Sequence, residues 1–112
     1  MGFFKKLDEA MRYDPGNRGL LANAPANPLD RLQEALTDIK GVVILTGFPV
    51  RLGLHNFTGE TDGPLGAANL AYAFESIGVP VWLLTDEEAY WIVNAALTKR
   101  GCRCRPSMLP RY

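Results

Sequence analysis

Apolar residues recur at helical spacing at Phe3, Phe4, Leu7, Ala10 and Met11, while Lys5, Lys6, Asp8, Glu9 and Arg12 fill the opposite side. That pattern predicts an amphipathic helix over the first dozen residues. Pro15 disfavours helical dihedrals at Asp14, and Pro15-Gly16 is a turn signal, so the helix stops there. After the segment Asn17-Arg18-Gly19-Leu20-Leu21 and a linker of Asn, Ala and Pro, Asn27-Pro28 reads as a second helix start. Leu32, Ala35, Leu36 and Ile39 carry the 3.6-residue period, and Lys40-Gly41 is the expected basic-then-glycine end.

The pattern then changes. Val42-Val43-Ile44-Leu45 is apolar without alternation, which predicts a short strand buried on both faces, as in a parallel sheet covered by helices. A loop from Gly47 to Gly63 leads to Pro64, acceptable in the first turn of a helix whose stripe is Ala67, Leu70, Ala71, Phe74 and Ile77 and whose end is Gly78. Pro80 to Leu84 is a second strand. Thr85 and Glu88 stand at capping-box spacing, so a fourth helix runs from there through Ile92, Val93, Ala96 and Leu97 to Lys99-Arg100-Gly101. The last eleven residues hold two prolines and leave room for no more than a short third strand.

Strand, helix, strand, helix is a Rossmann-like βαβα unit of the α/β class, with parallel strands and a right-handed crossover, preceded by two helices. The chain is expected to be a single domain over residues 1–112, with a helical lead-in over 1–40 and a βαβα core over 41–105. So few strands predict an incomplete three-layer α/β/α domain, the front part of a larger one, or else association with another copy.

Composition narrows the partners. With 112 residues, 47% of them hydrophobic, the chain can bury a core, and twelve basic against twelve acidic residues give no field that would draw nucleic acid or an anionic membrane. No apolar run approaches the roughly 18 residues of a transmembrane helix. Acids among the bases of Met1 to Asp14, and no apolar core of a signal peptide, predict a cytoplasmic protein. Cys102 and Cys104 are too close in sequence for an ordinary bridge and too few for a metal cage, so reduced thiols are expected.

The chemistry concentrates in the long loop. Seventeen residues between strand and helix exceeds the usual two to six, a length more often functional than idle. Its glycines at Gly59, Gly63 and Gly66 match neither the dinucleotide nor the phosphate-loop spacing, and the lysine of the latter is missing, so no nucleotide cofactor is indicated. Free N–H groups around Leu65 to Ala68 would suit an anion, and Gly63 and Gly66 would let it approach the backbone. Glu60 and Asp62 would repel a phosphate unless a divalent metal intervened, a case left open, and suit better a ligand with both a carboxylate and an amine. Each has a plainer role, Asp62 as a helix cap and Glu60 as a solvated acid. His55, the single histidine, could move a proton or be merely exposed. Asp86, at the end of the second strand and on the same edge as the loop if the strands are parallel, would cap the fourth helix or make a functional contact. Arg18, between turn residues, could reach a carboxylate or simply pin its loop.

Three stretches together resemble the first βαβ unit of the D-glutamate cyclase family: Val43 to Pro49 (VILTGFP), Glu60 to Ala68 (ETDGPLGAA) and Leu84 to Glu87 (LTDE). The turn Asp14 to Leu20 is similar to the arginine-containing turn that precedes that unit, and the likeness covers about residues 10 to 90. The resemblance implies a carbon–oxygen lyase that converts D-glutamate to 5-oxo-D-proline with loss of water. It implies catalytic roles for Glu60 and Asp62, and substrate contacts from Arg18, Thr46, Gly47, Thr61, Gly63, Gly66 and Asp86. Family members are much longer, so a truncated member is also implied. Two other classes compete: a non-catalytic fragment binding a small molecule or anion, and an oligomerisation module pairing through strand edges into a homo-oligomer.

Overall fold

The computed structural model describes residues 2–19, 21–25 and 28–110, and the chain divides into two compact units, Met1–Ile39 and Lys40–Tyr112. Leu20, in the arginine turn, and Asn27, the expected start of the second helix, lie outside the described residues.

The first unit holds α1 (Phe3–Met11) and α2 (Pro28–Leu36). Asp8, which the periodicity assigns to the polar side, is instead buried, and Arg12 one turn later reaches it with Nε to Oδ2 at 2.9 Å. The same guanidinium donates to the carbonyl of Pro25. Burying a carboxylate is costly unless such a partner is present. Pro28 opens α2 as expected, but the helix ends at Leu36 and not at Lys40-Gly41. Asp38 adopts a left-handed φ of 61°, which breaks the helix before the glycine is reached.

The second unit is α/β. Strands β1 (Val42–Leu45), β4 (Val81–Thr85) and β5 (Pro106–Met108) form a parallel sheet in the order β1-β4-β5, with α3 (Asp62–Ser76) and α4 (Tyr90–Arg100) as the crossovers. The expected loop is not wholly a loop: β2 (Pro49–Arg51) and β3 (Phe57–Gly59) pair antiparallel as a hairpin.

Strands added in chain order by two right-handed crossovers put both helices on the same side of the sheet. The core accordingly sits between Ile44 and Leu83 of the sheet and Ala67, Ala68, Ala71, Val93 and Leu97 of the helices. Each large side chain buried there contributes roughly 1.5–3 kcal/mol. The small residues of α3 permit close packing against α4. The stripe read from the sequence is rotated: Ala68 points inward, while Leu70 and Ile77 are exposed.

One expectation fails at the strands. Val43, Leu45 and Trp82 are 65%, 70% and 57% exposed, so β1 and β4 are buried on one face only, and this unit supplies two layers instead of three. Among the described residues, no helix is long and apolar enough to cross a membrane.

The chain after α4 is held at the N-terminal edge of the sheet by Glu75. Gly101, at φ 87°, ends α4, and the Glu75 carboxylate then accepts the N–H groups of Arg103 at 2.8 Å and Cys104 at 2.7 Å. Partial burial raises the pKa of this carboxyl, but the two N–H groups, the Cys104 thiol and the Arg103 charge outweigh it and hold it below its ordinary 4.5. A carboxylate whose folded pKa is depressed stabilises the fold above its unfolded value and loses that contribution as pH falls through the lower one. Thermal melts of Glu75→Gln should therefore show a lower midpoint than the native chain at about pH 6 and converge with it toward about pH 3.

Candidate functional site

The C-terminal edge of the sheet gathers the residues with unfinished chemistry. The β1–β4 register, Leu45 opposite Leu84, is continued by the Thr46 N–H, which donates to the Leu84 carbonyl at 3.0 Å. Gly47 follows with φ 134°, a conformation side chains other than hydrogen rarely adopt. A Cβ built on Gly47 would lie 2.5 Å from Asp86 Oδ2 and 3.0 Å from Thr85 Oγ1. The bare backbone is therefore what lets the end of β4 lie against the end of β1.

Asp86 uses one oxygen for the fold. Its Oδ1 accepts the Ala89 N–H at 2.7 Å, tying the turn before α4, while Oδ2 is directed at Gly47. Asp86 therefore ties the turn that precedes α4 and does not stand at the N-cap of that helix. The capping box does not form: Ala89 stands at the N-cap, and Thr85 is the last residue of β4, 0% exposed. Thr85 Oγ1 has no hydrogen-bond partner. An orphaned buried hydroxyl costs about 1–3 kcal/mol. Reading Thr85 as a helix cap concealed this, although a threonine closing an apolar strand was a visible signal.

The hairpin rises from this edge. Arg51 Nε donates to the Gly53 carbonyl at 2.8 Å and closes the turn, at whose exposed tip His55 sits. The neck is closed by the Glu60 N–H donating to Phe48 at 2.9 Å, and Gly59 is pressed on Ala89, where a built Cβ would fall 2.8 Å from Ala89 Cα. His55 therefore belongs to the turn and not to the gathering at Gly47.

The start of α3 completes the edge. A Cβ on Gly63 would lie 3.2 Å from Thr46 Oγ1, whereas one on Gly66 would meet open space. The helix begins earlier than Pro64, at Asp62, so the N–H groups of Leu65 to Ala68 are not the free ones: Leu65 already donates to the Thr61 carbonyl at 3.4 Å, and Ala67 and Ala68 belong to the core. Pro64 has no N–H, and that of Gly63 is taken by Asp62 Oδ1 at 2.8 Å. The helix terminus is thus a smaller anion site than the sequence suggests. Thr61, at the N-cap, makes no side-chain cap, and Glu60, Thr61 and Asp62 are exposed.

Thr46, Gly47, Gly63, Thr85 and Asp86 converge within the second unit, with Glu60, Thr61 and Asp62 joining the hairpin to α3 beside them. Arg18 lies in the first unit, where its own N–H donates to Asp14 Oδ1 at 3.3 Å.

The opposite edge has a hollow and less to offer chemically. A cleft of about 590 Å³ is lined by Glu75, Val81, Arg103 and Cys104 among others, but each oxygen of its carboxylate already accepts a backbone N–H. Both cysteines are free thiols. Burial, then Glu75, pushes Cys104 up to about 11, and burial also raises Cys102, so neither is a thiolate near neutrality. Among the described residues, no group of three or more His, Cys, Asp or Glu could hold a metal ion.

The model of the family described as D-glutamate cyclase-like, C-terminal, matches residues 7–111. The chain is also similar to D-glutamate cyclase, mitochondrial, of Homo sapiens, at 31% identity over 86 residues. That likeness covers 77% of this chain but 14% of the relative's length. No solved structure matches.

The geometry at Gly47 makes a direct prediction. Gly47→Ala forces a Cβ onto the Asp86 carboxylate at an unfavourable φ and should destabilise the fold by on the order of 1–3 kcal/mol in urea titration. Gly53→Ala, at the hairpin turn with nothing within 4 Å, should change stability little.

Proposed function

Because this chain belongs to the D-glutamate cyclase-like family, we propose that it takes D-glutamate, or a closely similar amino acid, at the C-terminal edge of its sheet and closes it to 5-oxo-D-proline with loss of water. The observation that carries the reading is the half-used Asp86 carboxylate, brought against the bare backbone of Gly47 at the strand ends, with Gly63 of the helix start against Thr46 next to it. Ligands of open α/β sheets bind at this edge. Two carboxylates and an amine are what such a ligand must have recognised.

The reaction makes defined demands. The α-amine must lose a proton to attack the side-chain carboxyl, a C–N bond forms, and a carboxyl oxygen leaves as water once protonated. Holding the ligand curled turns this into a unimolecular closure. In this proposal Glu60 and Asp62 handle the protons, an assignment supported by their exposed carboxylates at the junction of hairpin and helix. Thr46, Gly47, Thr61, Gly63, Gly66 and Asp86 surround the substrate. A cytoplasmic location belongs to the proposal on sequence grounds; the human relative is by its name mitochondrial.

Purified protein incubated with D-glutamate should form 5-oxoproline, followed by chromatography, and Asp62→Ala should slow it roughly 100-fold. Absence of product from a cooperatively folded native chain would refute catalysis by this chain. Retained D-glutamate binding in that case would identify a binder without turnover.

A further inference from the structure

Thr85 lies outside the roles assigned so far, yet its hydroxyl is fully buried and unpartnered at the centre of the site. A valine would fill nearly the same volume, suit a strand as well and leave no orphaned oxygen. The side chain shares its face of β4 with that of Leu83, at the end of the strand, and there the hydroxyl lies 3.0 Å from where a Gly47 Cβ would stand, while Asp86 Oδ2 lies 2.5 Å from the same point. Two oxygens, one neutral and one anionic, thus converge on a single glycine. Asp86 Oδ1 is spent on Ala89, so Oδ2 is the oxygen with charge to offer.

We propose that Thr85 Oγ1 and Asp86 Oδ2 form the subsite for the α-ammonium group of the amino-acid ligand, with Thr85 the residue that makes the site discriminate an amine from its absence. An ammonium has three donors and no acceptor, which suits a carboxylate oxygen beside a hydroxyl lone pair. Gly47 lies against the two oxygens, and having no side chain it leaves the space beside them unfilled by a Cβ. The proposal rests on the reading of the site as one for D-glutamate.

Isothermal titration with D-glutamate and with glutarate, which has both carboxylates but no amine, separates the two ideas. The native chain should bind D-glutamate more tightly than glutarate. Thr85→Val should weaken D-glutamate about tenfold and leave glutarate unchanged, while Thr85→Ser, which keeps the hydroxyl, should bind as the native chain does. Asp86→Asn should also lose D-glutamate selectively. Equal D-glutamate affinity of Thr85→Val and native protein would overturn the ammonium subsite alone. So would equal weakening of both ligands, or failure of Thr85→Val to fold, since either would give the hydroxyl a structural role. If the native chain bound neither compound, the D-glutamate reading itself would fall, and the subsite with it.

Discussion

The register of β1 against β4 decides where every group at the C-terminal edge falls. Ile44 opposite Leu83 points both side chains into the helices, and the next pair, Leu45 and Leu84, delivers Thr46 and Gly47 beside Thr85 and Asp86. A slip of one residue would turn Ile44 outward and take Gly47 away from the carboxylate. Glycines at both ends of β1 reinforce the pairing. A Cβ on Gly41 would fall 2.6 Å from the Trp82 ring, and one on Gly47 would fall 2.5 Å from Asp86. Side chains are thus forbidden at the two points where β1 meets its neighbour's largest and most charged residues.

The two edges of the sheet use carboxylates in opposite ways. Glu75 spends both oxygens on the backbone of the segment that returns to form β5, so the chemistry of that edge is complete within the fold. Asp86 spends one oxygen on Ala89 and brings the other to a glycine beside an unpartnered hydroxyl. A hollow of about 590 Å³ lies at the first edge, but hydrogen-bonding capacity is left over at the second. Capacity left over in a buried place is the better mark of a ligand site, because it costs stability until something fills it.

Much of the fold was legible because periodicity and punctuation agree: β1, β4, α3 and α4 are where apolar runs and glycine stops put them. The hairpin was not, since Pro49-Val50-Arg51 and Phe57-Thr58-Gly59 are short, mostly exposed and contain residues that usually mark loops. The open sheet face was misread because a fully apolar strand looks the same whether one face or two are covered. Asp86, Gly47 and Gly63 were legible as candidates from the motif that carries them. Thr85 was not, because S/T-x-x-E reads as a cap whether the threonine ends a strand or begins a helix. The free N–H groups of α3 were misplaced by the three residues that separate Asp62 from Leu65, a small error in helix start that changes which donors are available.

The central claim is that this edge, and not the cleft at Glu75, receives the ligand. Amide chemical shifts of labelled protein, followed by NMR as D-glutamate is added, test it most directly. Saturable shifts should concentrate at Thr46, Gly47, Gly63, Thr85 and Asp86, with Arg103 and Cys104 unmoved. Shifts centred on Arg103 and Cys104, or none anywhere at saturating ligand, would contradict it.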